Sequence, residues 1–387
     1  MSITLVVTRG NGSMDLYSSR LAEHLDVPVL LTDAYQRSSE VFNVPWWSGR
    51  RRRALSEGLR FWWSLRRVEG AVHLANHHLG RFALGRSQPF ILTVHDLIRY
   101  FDLTGRFAEP LIHRPKGWDR ALLRLDYRGV RRAAKVIASS QYTKQDLVRY
   151  LGLDPGRIDV IHLGIDPIFS PRPGGRSPEE RYLLYVGSEH PRKNLPFLLR
   201  VFKELKHGFP GLKLVKVGRA GGGEADFRAA TMRVVRQLGL ETDVLFREFV
   251  SQEELVSLYS NAACFCFPSL YEGFGWPPLE AMACGCPVVA SSTTAIPEVV
   301  GDGGQLCPPD DATAWVSAIG LILEDTAVAR ELRERGLARA RQFSWEEAAR
   351  KVLAVYRELD GPRSQWTPSI SGSSSQPAED TPHTIPR

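Results

Sequence analysis

Twice along this chain, short apolar segments alternate with longer segments of helical character, and a Pro- and Gly-rich stretch separates the two runs. The first run reads as strands at Ile3–Val7, Val27–Leu31, Ala71–Leu74, Phe90–Val94, Val136–Ala138 and Ile158–Ile161, with helices over Tyr17–Leu25, Ala121–Ala134 and Lys144–Leu151. Such alternation predicts a parallel, doubly wound α/β sheet. Gly164–Glu180 then carries Pro167, Pro171, Pro173, Gly174, Gly175 and Pro178, which is a linker or hinge composition. The second run places strands at Leu183–Val186, Leu212–Val217, Val244–Phe246, Ala263–Phe267 and Pro287–Ala290. The predicted layout is an N-terminal domain over 1–165, a linker over 166–180, a second domain over 181–342, a last helix over 343–360 and a Ser-, Pro- and Thr-rich disordered tail over 361–387.

A length of 387 residues with 43% hydrophobic content suffices for two cores. No apolar run approaches the roughly 18 to 20 residues that span a bilayer. MSITLVVTRG reads as a strand and loop, so a cytoplasmic protein made without a leader is expected. Five cysteines, an odd number, do not suggest a disulfide framework. The pairs Cys264/Cys266 and Cys284/Cys286 are spaced more tightly than usual zinc ligands, and buried thiols are the expectation. His73, His77 and His78 have no carboxylate pattern beside them, so no metal is expected there either.

The formal charge of +7 implies attraction to polyanions without choosing among them. Much of it lies in Trp46-Trp-Ser-Gly-Arg-Arg-Arg-Arg53, followed by Phe61-Trp-Trp63 and Arg66-Arg67. Indoles interleaved with guanidinium groups suit an anionic membrane surface, which makes segment 46–67 a peripheral anchor on the inner face of the membrane. The other reading packs the stripe Leu55, Leu59 and Trp62 on the sheet and leaves the arginines as a solvated face. Both remain open from sequence.

Chemistry concentrates in Pro268–Ser291, PSLYEGFGWPPLEAMACGCPVVAS, where Glu272 and Glu280 bracket a Gly-Phe-Gly turn that opens a helix. Pro277 and Pro278 suit a first helical turn, where no N–H partner is needed. A strand-to-helix junction turns backbone N–H groups and the positive end of a helix dipole outward, a ready site for a diphosphate.

These glutamates, with seven residues between them, resemble the signature of the retaining GT-B glycosyltransferases of family 4, the group 1 glycosyltransferases. Leu184-Tyr-Val-Gly-Ser-Glu-His-Pro-Arg-Lys-Asn194, Glu248–Tyr259, Ile296–Asp302 and Phe343-Ser-Trp345 resemble further blocks of that family, in its order. The resemblance implies two Rossmann-like domains facing a cleft and a last helix that crosses back onto the N-terminal domain. It implies that Arg192 and Lys193 contact the diphosphate, that Glu272 addresses the donor sugar, that Glu280 accepts hydrogen bonds from the ribose, and that His95 sits by the sugar. Phe274, Gly275 and Trp276 would present backbone N–H groups, and Gly187 and Gly12 would approach the donor. Trp276 stands where the family usually has a smaller aliphatic, and Gly10-Asn-Gly-Ser13 lacks the family's adjacent glycine pair. Asp96 is expected to orient its loop, and Ser139–Lys144 to start a helix.

The implied reaction moves a hexose, GDP- or UDP-activated and mannose first among candidates, to a glycan or lipid-linked acceptor. It needs no cofactor and, with two cations at the diphosphate and no Asp-x-Asp motif, no divalent metal; nucleic acid is not an implied partner. An epimerase of the same fold and a non-catalytic polyanion-binding scaffold are the alternatives. The paired-carboxylate mechanism of glycoside hydrolysis fits poorly, because both glutamates belong to one turn.

Overall fold

The computed structural model describes residues 2–10, 12–34, 49–172, 181–221 and 224–359. Trp46, Trp47, linker residues 173–180 and the tail 361–387 lie outside the described residues, as do the side chains of Arg50 and Arg51. The described residues divide into two compact units, one taking those within 1–106, 113–164 and 345–359, the other those within 107–112 and 165–344.

The first unit runs β1 (Ile3–Thr8), α1 (Ser13–Glu23), β2 (Val29–Thr32), α2 (Gly49–Arg67), β3 (Ala71–Leu74), α3 (Gly80–Ala83), β4 (Phe90–Val94), α4 (Ile98–Thr104), α5 (Gly117–Arg132), β5 (Lys135–Ala138), α6 (Gln141–Leu151) and β6 (Ile158–Val160). Its six strands are parallel in the order β2-β1-β3-β4-β5-β6, with Leu5 beside both Val29 and His73. Steps from β2 to β3, β4, β5 and β6 all run one way across the sheet, so right-handed crossovers put α2, α3, α5 and α6 on one side. Ser140 caps α6 by accepting from the Thr143 N–H at 3.0 Å, as the Ser-Ser-Gln-Tyr-Thr pattern predicts. The opposite side holds α1.

Three local readings change. Helix α1 starts at Ser13 instead of Tyr17, because the Asp15 carboxylate reaches back to the Gly12 N–H at 3.0 Å and fixes the first turn. In α2 the packed stripe is Ala54, Phe61 and Leu65, while Leu55, Leu59 and Trp63 are exposed and Trp62 is half-buried. Phe61 sets this register by meeting Phe82 of α3 edge-on at 5.1 Å. The helix read over Ala121–Ala134 begins a turn earlier, as α5 from Gly117.

The second unit runs β7 (Tyr182–Val186), α7 (Leu195–Gly208), β8 (Lys213–Val217), α8 (Glu224–Gln237), β9 (Val244–Arg247), α9 (Gln252–Asn261), β10 (Cys264–Phe267), α10 (Trp276–Ala283), β11 (Val288–Ser291), α11 (Ile296–Val300), β12 (Gln305–Cys307), α12 (Ala312–Glu324) and α13 (Thr326–Ala340). Its order, β12-β11-β10-β7-β8-β9, is also wholly parallel. The chain lays down β7, β8 and β9 in one direction, then returns to place β10, β11 and β12 on the other side of β7. Loops leaving β7 and β10 therefore diverge, which opens a crevice at their carboxyl ends. The core gathers Leu198, Phe202, Trp315 and Ile319 around β10, and all five cysteines are buried and unbridged.

The last helix, α14 (Trp345–Glu358), joins the first unit. Tyr356 meets His73 Nδ1 at 2.7 Å, and Glu358 pairs with Lys135 Nζ at 2.6 Å. His73 Nε2 reaches Thr93 Oγ1 at 2.8 Å, so both ring nitrogens of this fully buried histidine are satisfied. Burial holds it neutral, with its pKa down at about 3.

Candidate active site

At the crevice of the second unit, three charged side chains meet. β7 ends at Val186, and the turn Pro191–Lys193 then delivers Arg192 and Lys193; β10 ends at Phe267, and the following loop delivers Glu272. Glu272 Oε1 accepts from Lys193 Nζ at 2.7 Å, Arg192 Nη1 at 2.9 Å and Ser269 Oγ at 2.6 Å. Backbone locks the two loops together, since the Leu270 N–H donates to the Arg192 carbonyl at 2.7 Å and Arg192 Nη1 also donates to the Tyr271 carbonyl at 3.1 Å. Thr294 Oγ1 accepts from the Glu272 N–H at 3.1 Å. Both described non-glycine residues with positive φ, Asn194 and Thr294 at 55°, flank this cluster. Left-handed backbone costs such residues about 1 kcal/mol or more, a strain that recurs where loop shape serves a site.

The electrostatics follow from that geometry. Burial alone would raise the Glu272 pKa, yet Arg192 and Lys193 outweigh it and hold the group at about 2. One carboxylate facing two cations leaves the trio with a net positive charge. Lys193 is buried over the Phe267 ring, 4.9 Å from its centroid, which fixes the ammonium position. Arg192 keeps a buried Nε without a hydrogen-bond partner.

Helix α10 begins at Trp276, and Gly275 before it has φ of +123°, a conformation that only glycine adopts without strain. Pro277 and Pro278 occupy the first turn, as their missing N–H groups predict. Phe274 turns inward and meets Phe343 at 5.9 Å. Just over one turn into the helix, Glu280 Oε2 accepts from the Tyr259 hydroxyl at 2.9 Å. Burial raises the Glu280 pKa to about 7; the tyrosine opposes the shift and Asp166 adds to it. The two signature glutamates thus have opposite character. One is permanently ionised; the other titrates near neutrality.

The remaining expected residues are arranged differently. The Gly187 N–H extends the ladder to the Val217 carbonyl at 3.0 Å, so its donor is already used. Gly12 likewise spends its N–H on Asp15, and it belongs to the first unit, as does His95. His95 follows β4, with Nε2 at 3.0 Å from the Ala75 carbonyl and its ring edge-on to Tyr17 at 4.8 Å. That bond requires the proton on Nε2 and leaves Nδ1 as the acceptor. Burial lowers its pKa to about 4, so the ring is neutral. Asp96 accepts from the Ile98 N–H at 2.9 Å and shapes the loop. Among the described residues, no group of three or more His, Cys, Asp or Glu side chains is arranged to hold a metal ion.

Known proteins match both halves of the chain. The profile of glycosyl transferases group 1 matches residues 169–342, and that of glycosyltransferase family 4 matches residues 15–169. O-antigen chain mannosyltransferase B of Escherichia coli is 31% identical over 77% of this chain and 77% of its own length. The chain is a group 1 glycosyltransferase of family 4. MMP alpha-(1→4)-mannosyltransferase of Mycolicibacterium hassiacum is 30% identical over 70% of this chain and 65% of its own. Among solved structures, sucrose-phosphate synthase from Thermosynechococcus elongatus aligns with a TM-score of 0.73 at 24% identity, covering 93% of this chain and 99% of that one. Anabaena HepE in complex with UDP-glucose aligns with a TM-score of 0.73 at 20% identity, over 92% and 100%. At such identities the structures speak for the fold, two Rossmann-like units of the GT-B type.

Sequence reasoning missed one group that supports this glycosyltransferase site. Glu189, in the loop between β7 and the turn that carries Arg192, is buried against Lys216 Nζ at 2.9 Å and Arg228 at 2.8 Å. Its N–H donates to the Ala220 carbonyl at 2.8 Å, so the ion cluster ties the loop after β7 to the loop after β8. A signal was present: Lys216 interrupts the apolar strand Lys-Leu-Val-Lys-Val, and a cation inside a parallel sheet needs a buried anion.

Proposed function

We propose that this chain transfers a hexose from a GDP- or UDP-sugar, with mannose the first candidate, to a glycan or lipid-linked acceptor in polysaccharide or cell-envelope biosynthesis, retaining the anomeric configuration. The supporting observation is the convergence of Arg192, Lys193 and Glu272 at the strand-order reversal of the second unit, beside the start of α10. The names of the relatives, mannosyltransferases among them, and the UDP-glucose bound by HepE favour the substrate class.

In this reading the diphosphate lies against Arg192 and Lys193, whose charges grow in value as the bond from anomeric carbon to phosphate oxygen breaks. Glu272 positions both cations and accepts a sugar hydroxyl. Glu280 accepts from the ribose hydroxyls in its ionised form. His95, with Nδ1 unprotonated, accepts a hydroxyl of the transferred sugar. The acceptor oxygen bonds the anomeric carbon on the face the leaving group vacates, and its proton passes to the departing phosphate oxygen. The nucleoside diphosphate leaves, and two side-chain cations stand in place of a divalent metal.

The test is turnover of radiolabelled GDP-mannose and UDP-hexoses with glycan and lipid-linked acceptors, with and without chelator, followed by anomeric analysis of the product. Transfer that persists with chelator, retains configuration and disappears in Lys193→Ala is expected. Inverted product, or full turnover in that variant, contradicts the reading.

A further inference from the structure

Two helices on one side of the first unit carry charge and exposed apolar groups that no part of the donor site uses. Short α3 lies between α2 and α5 and holds them together: Phe82 meets Phe61 of α2, and Arg81 pairs with the buried Asp126 of α5 at 2.6 Å. Gly80 of α3 packs directly on α5: a Cβ on Gly129 would strike the Gly80 backbone, and one on Gly80 would strike the Asp126 carbonyl. Both helices turn their inner faces to the sheet, so their outer faces look away from it together.

Half of the large apolar side chains that the described residues expose lie on those outer faces. Leu55, Leu59 and Trp63 recur every fourth residue on α2, opposite its buried Ala54, Phe61 and Leu65. Trp118 and Leu125 sit seven apart on α5 and continue the surface. Exposed arginines surround them, Arg52, Arg60 and Arg66 on one helix and Arg124, Arg128 and Arg132 on the other. Arg67 lies over the Trp63 ring at 4.7 Å. Acidic groups do not offset this charge. The three carboxylates among the described residues of the two helices are not exposed: Glu57 is half-buried, Asp119 pairs with Arg99 and Asp126 with Arg81.

We infer that the outer face of α2 and α5 is a docking surface for an anionic lipid bilayer. A bilayer satisfies both halves of the pattern, since guanidinium groups meet lipid phosphates while Trp and Leu enter the headgroup boundary. A nucleic acid would engage the arginines and leave Leu55, Leu59 and Leu125 unburied. A second copy would bring like charge against like. No single described helix is long and apolar enough to cross a membrane, and the proposed attachment is peripheral. It involves a second helix beyond the Trp- and Arg-rich segment itself.

Vesicle flotation of the full chain tests this, using phosphatidylcholine alone and phosphatidylcholine with about one third phosphatidylglycerol. Binding should require the anionic lipid and fall as salt rises. The pairs Leu59→Ser with Trp63→Ser, Trp118→Ser with Leu125→Ser, and Arg124→Glu with Arg128→Glu should each reduce partition about tenfold or more. Circular dichroism and a cooperative thermal unfolding transition, unchanged in all three, show that each variant is folded. Quenching of the wild-type indoles by brominated phosphatidylglycerol reports insertion without any variant. Equal partition into neutral vesicles, partition indifferent to all three variants, absence of partition, or preferential capture of a duplex oligonucleotide overturns the inference.

Discussion

The two units solve the same architectural problem with opposite electrostatics. Each is a six-stranded parallel sheet with buried polar side chains in and around its strands. In the second unit these are ions: Arg192, Lys193 and Glu272 in one cluster, Glu189, Lys216 and Arg228 in another. In the first, the buried groups at β3 and β4 are rings and hydroxyls, with His73 bridging Tyr356 and Thr93 and His95 held by a carbonyl, while ion pairs such as Arg81 with Asp126 and Arg99 with Asp119 lie among the helices. A leaving diphosphate calls for the former. A sugar, with hydroxyls and no charge, calls for the latter. Division of labour between the units can therefore be tested by charge.

The largest effects belong to the ionic side. Lys193→Ala and Glu272→Ala should reduce transfer by about a hundredfold to a thousandfold or more, with circular dichroism still native, because each removes charge organisation felt in the transition state. Next comes stability. Lys216→Met leaves Glu189 buried beside a single cation, and urea unfolding should show a loss of about 3–5 kcal/mol. On the neutral side, Tyr356→Phe leaves His73 Nδ1 without its partner and should cost only about 1–3 kcal/mol, with nucleotide affinity unchanged. A large loss of nucleotide affinity in Tyr356→Phe would break the separation between the units.

The smallest effect is in pH. Glu280 is raised by burial to about 7, and in the proposed site ribose hydroxyls bond its ionised form more strongly than the neutral acid, so bound nucleotide should lower its pKa. Affinity should rise with pH through about 7 and then level off, by up to about tenfold between about pH 6 and about pH 8, equivalent to about 1.4 kcal/mol of preference for the ionised carboxylate. Glu280→Gln should flatten the profile. His73 and His95, held by burial at about 3 and about 4, contribute nothing in that window. Asp126, raised by burial to about 7 despite Arg81, belongs to the first unit, and the Glu280→Gln control separates it from the site. Glu272 behaves oppositely to Glu280. Its depressed pKa gives stability that is full above the ordinary carboxylate range and fades as pH falls toward about 2.

What the sequence disclosed divides along the same line. Glu272, Glu280, Arg192 and Lys193 are legible because each lies within a few residues of a strand end and a helix start, so local spacing carries the geometry. The parallel order is legible in part, from alternation alone; the reversal between β7 and β10 that brings Arg192 to Glu272 is not, because strand order depends on pairing across the whole unit. His73 is visible as a histidine in an apolar strand, but its partner Tyr356 lies 283 residues away. Helix α2 misleads by one position, since Trp62 and Trp63 both bring apolar surface and only the contact of Phe61 with Phe82 decides which stripe is buried. Sequence reasoning misses the Glu189–Lys216 pair, although a lysine within an apolar strand is itself a signal of a buried anion.

Calorimetric titration of GDP and UDP into the wild type, Lys193→Ala and His95→Ala decides whether the ionic crevice of the second unit is the donor site. One nucleotide should bind the wild type, bind His95→Ala with nearly the same affinity, and bind Lys193→Ala at least about tenfold more weakly, the value of one charge-assisted contact to a phosphate. Undiminished binding in Lys193→Ala, or binding lost in His95→Ala alone, would contradict it.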